Sequence, residues 1–293
     1  MAERELSVSR HPRTLGENRY VYAVLSRRAR GISVGINLNP DKICNFDCIY
    51  CQVDRTTPPT VRDVDEKALL EELESVLLRA KEGSLYREPR FAGLPGTRHR
   101  LADISFAGDG EPTTYPRFRE VVAEVAALKR RLGLASLKMS VLTNATVLDR
   151  PAVKQALEIL DGNEGEIWAK LDAGTEEYYE TVCVPGGAGF SRILANILEA
   201  ARTRPIVVQS LFLRYRGAGP PPGEVEAFCR RLTEIVEKGG RISLVQVYTV
   251  ARRPAVKGVE PLSDAEVDAI ASRVRKSTGL DAKAFYGSSA WQE

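Results

Sequence analysis

The chain has 293 residues, 43% of them hydrophobic and 28% charged, with a formal net charge of only +3. This is the composition of a soluble globular protein with a full-sized core, as one large domain or two modest ones, and its charge gives no argument for a nucleic-acid partner. The odd count of five cysteines speaks against a secreted disulfide framework, and no apolar run is long enough to span a membrane as a helix. The start MAERELSVSRHPR has no apolar signal core, so the expected compartment is the reducing cytoplasm.

Residues 1–30 read as a basic N-terminal arm. Arg4, Arg10, Arg13, Arg19, Arg27, Arg28 and Arg30 face only Glu3, Glu5 and Glu17. The arm is expected to lie solvated along the surface. From there strand-like and helix-like runs alternate. SVGINLN (33–39) leads into a loop holding Cys44, Cys48 and Cys51. Asp63 and Glu66 form a capping-box pattern for a helix to about Glu82, with Leu69, Leu70, Leu73, Val76, Leu77 and Ala80 on one face. The stretch 83–100 reads as a long basic surface loop. DISFAG (103–108) is the next strand, and Pro116 opens a helix ending near Arg131. KMSVLTN (138–144), a helix from Pro151, EIWAKLD (166–172) and a helix over Ser191–Thr203 follow. PIVVQSLFL (205–213) and ISLVQVYTV (242–250) flank a helix over Glu224–Lys238. Ser263 and Glu266 cap a last helix that stops before Gly279, and DAKAFYG (281–287) closes the pattern as a short strand.

Repeated β-α units of this length imply a parallel sheet with helical crossovers. Six units without a Gly-rich dinucleotide fingerprint favour an α/β fold of partial (β/α)6, TIM-like barrel type over a doubly wound sheet. The expected division is the arm, a barrel over 31–258, and a C-terminal helix with a short tail over 259–293 packed on the barrel.

In parallel β/α folds, reactive groups gather at the carboxyl ends of the strands. The first strand leads to ICNFDCIYC, a C-x3-C-x2-C cluster. Three soft thiolates in one short loop suit a metal centre with one open position. GDGEPTT (108–114) follows the second strand and Thr143-Asn144 the third; the fourth ends in Lys170 and Asp172. The fifth carries Gln209, Ser210, Arg214 and Arg216, and the sixth Arg252 and Arg253. Other readings stand beside this one. Structural zinc takes four protein ligands, and the two histidines, His11 and His99, form no second ligand pair; Cys183 or Cys229 could complete such a site, but each is isolated. A ferredoxin wants a fourth cysteine at compact spacing. Thr143-Asn144 alone reads as a loop cap and Lys170–Asp172 as an ion pair. Cys183 and Cys229 read as isolated and inert.

The C-x3-C-x2-C cluster, with Tyr50 before its last cysteine, and the GEP within GDGEPTT resemble the signatures of the radical SAM superfamily over roughly residues 33–250. LNPDKICNFDCIYCQVDR, KLDAG and VQVYTVARRPA resemble its iron–sulfur oxidoreductase subgroup related to wyosine-type tRNA synthases. The resemblance implies a [4Fe–4S] cluster on Cys44, Cys48 and Cys51. The methionine amine and carboxylate of S-adenosylmethionine would chelate the fourth iron. One electron from an external reductant would cleave the sulfonium, and the 5′-deoxyadenosyl radical would abstract hydrogen from substrate. It further implies that Gly108, Gly110 and Glu111 meet the methionine amine and Tyr50 lies by the adenine. Thr143, Asn144 and Asp172 match polar positions near the ligand. Gln209 and Ser210 are candidates for ribose or carboxylate contacts, and Val247 for packing on the adenine. The tRNA wyosine synthases use a second cluster on additional cysteines, and Cys183 and Cys229 are too few to build it here, which argues against wyosine chemistry itself.

Arg55, Arg214, Arg216, Arg252 and Arg253 lie just beyond strand ends. Guanidinium suits carboxylate or phosphate, so the substrate expected is an anionic small molecule or nucleotide. Water-facing loop arginines are the plain alternative. Two other functions remain open: a radical SAM enzyme modifying a macromolecule (tRNA, a peptide or a glycyl-radical partner), with the basic arm meeting RNA, and a non-catalytic metal-binding protein.

Overall fold

The structure, a computed structural model, describes residues 15–26, 28, 31–91, 96 and 99–287. Most arginines of the basic arm therefore lie outside the described residues. The chain forms two compact units. One comprises Met1–Ile43, Thr57–Leu142 and Pro151–Glu166; the other comprises Cys44–Thr56, Thr143–Arg150 and Ile167–Glu293.

The first unit is built on strands β1 (Val21–Ser26), β2 (Gly31–Ile36), β3 (Leu101–Phe106) and β4 (Lys138–Thr143), paired in that order. β1 is antiparallel to β2, while β2, β3 and β4 run parallel. The sequence reading left 21–26 in the basic arm, yet these residues are a paired and mostly buried strand. Their anchor is Glu72, whose carboxylate accepts the backbone N–H groups of Arg19 (2.9 Å), Tyr20 (2.9 Å) and Val21 (3.0 Å). Tyr22 crosses to the neighbouring strand and its ring occupies the space a side chain at Gly35 would need.

Helices α1 (Glu66–Lys81), α2 (Phe118–Arg131) and α3 (Pro151–Asp161) complete this unit. α1 buries Leu69, Leu73, Val76, Leu77 and Ala80, the face the periodicity predicts, except that Leu70 is only half-buried. Its cap is Asp65, whose side chain accepts from the Ala68 N–H, and not the expected Asp63. Asp63 instead offers its carbonyl to the Tyr20 hydroxyl at 3.1 Å. The stretch after α1 also departs from a surface loop: two single-turn 3-10 helices, Leu85–Arg87 and Pro89–Phe91, bury Leu85, Arg90 and Phe91.

The second unit carries strands β5 (Gly165–Lys170), β6 (Ile206–Leu211), β8 (Ile242–Tyr248) and β10 (Ala282–Phe285) in that order, all parallel. A short antiparallel pair, β7 (Leu213–Tyr215) with β9 (Val259–Pro261), sits after the carboxyl ends of β6 and β8. β6 is buried at every residue, as a strand covered on both faces must be. The helices are α4 (Glu176–Cys183), α5 (Phe190–Thr203), α6 (Glu224–Glu237) and α7 (Asp264–Thr278). The predicted Ser263–Glu266 capping box is complete and Gly279 ends α7 in the left-handed conformation. Neither α4 nor the β7–β9 pair was anticipated. α4 is a short helix within a stretch left as loop, and β9 is three residues long.

A carboxylate is buried in the first unit. Asp103 on β3 is 2% exposed, accepts from the Ser33 hydroxyl, and lies 3.4 Å from that of Ser140. Burial raises its pKa and the Ser33 hydrogen bond opposes only part of the rise. A carboxyl with a raised folded pKa adds stability below its unfolded value, about 3.9, and loses it as pH climbs through the folded value. Asp103→Asn is therefore expected to raise the melting temperature relative to wild type at pH 7. That gain should shrink toward pH ~4. Thermal unfolding of both proteins at the two pH values checks this, and a pH-independent difference contradicts it.

Candidate active site

The cysteine loop lies in the second unit and is backbone-paired like a strand. Asp47 N–H donates to Val184 O at 3.0 Å, Ile49 N–H to Val182 O at 3.1 Å, and Gly186 N–H to Asn45 O at 2.9 Å. Phe46 and Pro185 form the bridge between them. The partner segment is the end of α4, which breaks at Val184 with a left-handed φ of 44°. Phe46 packs edge-on against Tyr179 of the same helix, ring centroids 5.9 Å apart.

Side chains close the loop from the other direction. Asn144 Nδ2 donates to Asn45 Oδ1 at 2.8 Å, and Asn45 Nδ2 to Thr146 Oγ1 at 2.7 Å. Asn144 Oδ1 in turn accepts from the Thr146 N–H and hydroxyl, and Thr143 Oγ1 accepts from Ala145 N–H at 3.0 Å. The turn after β4 thus clamps the cysteine loop. At its far end, Cys51 N–H returns to Cys48 O at 2.9 Å, and Cys51 O accepts from Ala255 N–H at 3.3 Å. Gln52 Nε2 reaches the Arg252 carbonyl at 3.2 Å.

Cys44, Cys48 and Cys51 are all half-buried. The Cys44 thiol contacts Asn45 Oδ1 at 3.8 Å. Cys183 lies opposite Cys48 in the paired backbone; its thiol pulls the Cys48 pKa down against burial, while the Cys48 sulfur, with burial, pushes the Cys183 thiol well up. Cys183 is only 3% exposed. The expected isolated, inert cysteine is thus a direct neighbour of a cluster-loop cysteine. Among the described residues no three His, Cys, Asp or Glu side chains are gathered as a metal ion would hold them. The chemistry of the donor set nonetheless fits an iron–sulfur cluster: three thiols stand on one short loop whose backbone is paired with the end of α4.

Behind the loop lies a charged network. Tyr50 donates its hydroxyl to Asp172 Oδ2 at 2.5 Å. Lys170 Nζ lies 3.1 Å from that same oxygen and 2.6 Å from the Tyr248 hydroxyl. Lys170 also sits over the Tyr50 ring, 4.9 Å from its centroid. Asp172 Oδ1 accepts the Leu211 N–H at 2.7 Å. Burial works against the charge on Lys170, but Asp172 and Tyr248 overcome it and hold the amine above lysine's usual range. Burial, then the Asp172 charge, keep Tyr50 neutral. The backbone just beyond is held from α6. The Glu224 carboxylate accepts from Gly174 N–H and, at 2.6 Å, from the Thr175 hydroxyl, and Arg231 Nε donates to Gly174 O at 3.1 Å. A Cβ at Gly174 would collide with the Phe228 backbone, so KLDAG needs its glycine for the approach of α6.

The glycine-rich turn belongs to the first unit. Asn37 grips it: Asn37 Nδ2 donates to Asp109 Oδ2 at 2.8 Å and Asn37 Oδ1 accepts from Asp109 N–H at 3.0 Å. A side chain at Gly108 would strike Asn37, and one at Gly110 would strike the Ile43 carbonyl. Glu111 is buried, and its carboxylate accepts from Thr113 N–H at 3.2 Å and Thr113 Oγ1 at 2.5 Å.

The remaining expected residues divide by environment. Gln209 spends its amide on Gln246 at 2.8 Å inside the sheet. Val247 is buried on β8. The Ser210 hydroxyl and the Asn39 side-chain oxygen are buried without a hydrogen-bond partner, the kind of polar atom a bound ligand satisfies. Arg55 is paired with Asp47 at 3.0 Å and Arg214 with Glu266, while Arg216 rests on the Tyr215 ring at 5.0 Å. Arg214 and Arg253 line a cavity of about 1250 Å³ bounded by the 254–264 segment. Asn45, Thr146, Glu224, Arg231 and Tyr248 were missed as residues that hold the site. Apart from the Thr146–Asn144 bonds, the partners described above lie 49–101 positions away in the chain, so no local pattern marks them, although KLDAG did point at the glycine.

The second unit thus carries a loop of three cysteines and a charged pair at the end of a parallel strand, and the first a glycine-rich turn after its strand, each on a parallel α/β scaffold. The family model of the radical SAM superfamily matches residues 38–215, and the chain belongs to that superfamily. It is 29% identical over 177 residues to a UPF0026 protein of Helicobacter pylori, covering 60% of this chain and 49% of that one. The chain thus spans about half the length of that curated relative. Its fold is that of a radical SAM methyltransferase from Sphaerobacter thermophilus, with a TM-score of 0.61, 14% identity, and coverage of 91% of this chain and 69% of that one. It also resembles TYW1 bearing a lysine–pyruvate adduct, with a TM-score of 0.51, 15% identity, and coverage of 85% and 74%. The fold class is the expected radical SAM partial barrel, the protein is an enzyme, and no helix among the described residues is long and apolar enough to cross a membrane.

Two outcomes follow from the site's internal bonds. Lys170→Met is expected to cost about 3 kcal/mol, because it strands the Asp172 charge. Adding Asp172→Asn should return part of that loss, and denaturant unfolding of the two variants measures it. For the clamp, a double-mutant cycle of Asn45→Ala and Asn144→Ala should give a coupling of about 1 kcal/mol. Strict additivity would show that the two amides do not act together.

Proposed function

We propose that the chain cleaves S-adenosylmethionine reductively at a [4Fe–4S] cluster held by Cys44, Cys48 and Cys51, and that it acts on an anionic small-molecule or nucleotide-like substrate. The observation that carries this reading is the cysteine loop itself, three thiols on a backbone held rigid by α4 on one side and by Asn144 and Thr146 on the other. When bound, the cluster supplies one electron to the sulfonium, and the resulting deoxyadenosyl radical takes hydrogen from substrate. The electron comes from an external reductant.

The chain's own residues do the rest. Gly108, Gly110 and Glu111 would receive the methionine end, and Ser210 supports a ligand contact through its unpartnered, fully buried hydroxyl. Tyr50, held neutral, would present an apolar ring edge to the adenine while its hydroxyl stays on Asp172. Thr143, Asn144 and Asp172 would act mainly by keeping the loop and Tyr50 in place. Lys170, its charge favoured by Asp172 and Tyr248 against burial, would serve as a cation beside Tyr50. For substrate, Arg253 is the better candidate, since it lines the cavity beside the 254–264 segment, while Arg55 and Arg214 already have carboxylate partners.

Anaerobic reconstitution with iron and sulfide tests the reading. Wild type should gain visible charge-transfer absorption and, once reduced, release 5′-deoxyadenosine. Replacing Cys44, Cys48 or Cys51 by Ala should abolish both. A wild-type protein that takes up no iron and makes no 5′-deoxyadenosine sinks the assignment.

A further inference from the structure

The loop cysteines have a neighbour that this reading leaves unused. The hydrogen bonds Asp47 N–H to Val184 O and Ile49 N–H to Val182 O put Cys48 and Cys183 opposite one another in the same antiparallel register. The register runs on through the Phe46–Pro185 bridge and the Gly186 to Asn45 bond, so neither residue can slide past the other. Residues opposite each other between such bonds lie about 4.5 Å apart at Cα, within the roughly 4.4–6.8 Å a disulfide spans. Cys48 is half-buried, and Cys183 is 3% exposed at the last turn of α4. Of the two, Cys48 is the more open to an external reagent.

We propose that Cys48 and Cys183 are a reversible dithiol–disulfide pair, oxidised by low-molecular-weight disulfides of the glutathione class. Closing the pair withdraws Cys48 from the cluster-ligand set, a consequence that rests on the function proposed above. The Cys48 sulfur attacks the external disulfide; a new S–S bond forms at Cys48, and one small thiol leaves with the Cys48 proton. The Cys183 sulfur then attacks Cys48, the mixed disulfide breaks, and the second small thiol leaves with the Cys183 proton. Two protein thiols are oxidised, one external disulfide is reduced, and no further reactant is needed.

The competing partner is Cys51, three residues from Cys48 and bonded to it through the turn Cys51 N–H to Cys48 O at 2.9 Å. That turn keeps the loop backbone closed on itself, whereas Cys183 faces Cys48 across a paired backbone. Cys229 takes no part. It sits on α6, where burial raises its thiol pKa and Ser277 is its hydrogen-bond partner.

The test uses the full chain, purified anaerobically and stripped of iron by a chelator. It is treated with oxidised glutathione, alkylated, digested without reduction and mapped by mass spectrometry. The expected result is a peptide linking Cys48 to Cys183, two fewer alkylatable thiols, and full reversal by dithiothreitol. In Cys183→Ser the link should vanish and Cys48 should stop as a glutathione adduct. A Cys48–Cys51 or Cys48–Cys44 link, or no loss of alkylatable thiols, overturns the pair. In reconstitution, oxidised wild type should lose iron uptake and regain it on reduction. Reduced Cys183→Ser should load iron as reduced wild type does, which also shows that it folds. Undiminished uptake by wild type carrying the link would overturn the withdrawal of Cys48. If reduced wild type takes up no iron, the cluster assignment fails, while the peptide map still decides the pair.

Discussion

The pairing of residues 45–49 with the end of α4 is the constraint on which the candidate site depends. A loop of three cysteines left to itself would lose its order at an entropic cost of about 1–2 kcal/mol for every residue that must be fixed again on ligand binding. Here that cost is met by folding. Main-chain bonds to the Val182 and Val184 carbonyls and from the Gly186 N–H make the loop an added strand, and α4 must end where it does, at a left-handed Val184, for those groups to face it. A loop paired in this way has its backbone ordered before any ligand binds, which is the sense in which it is preorganised.

The network behind the loop extends the same logic to charge. Asp172 is the hub: it takes the Tyr50 hydroxyl, the Lys170 amine and the Leu211 N–H, so nearly all of its acceptor capacity is used. A buried ion pair of this kind is weak evidence for stability, since its desolvation cost rivals its attraction. Its value is positional. With Tyr248 on the far side of Lys170 and Glu224 holding Gly174, the aromatic ring beside Cys51 has one orientation open to it. The arginines beyond the strand ends show the reverse case, where two of five have been neutralised by local carboxylates and so lose their appeal as substrate ligands.

How much of this was legible in the residues follows from the range of each signal. The cysteine spacing, the GDGEPTT turn and the KLDAG strand end are local, and the structure finds each where its strand stops. Helix faces were also legible, down to the Ser263–Glu266 box, because i, i+3 and i, i+4 relations are local too. The strand β1 was not. Its residues sit among arginines, and what makes them a strand is the antiparallel ladder with β2, anchored at its start by Glu72, some fifty positions later in the chain. Asp63 lost the cap to Asp65 for a similar reason, since its carbonyl is committed to Tyr20.

The sequence by itself determined the chemistry: which thiols, glycines and carboxylates follow which strand, and hence the superfamily and the parallel α/β scaffold. Bonds between neighbours in the chain carry that information, and composition protects it. Only the tertiary structure decided who holds those groups. Asn45 with Asn144, Glu224 with Gly174 and Cys183 with Cys48 are contacts between segments whose separation in the chain has no fixed relation to their distance in space. The most consequential of these is the last, because a cysteine that reads as isolated along the chain becomes a neighbour only when α4 is laid against the loop.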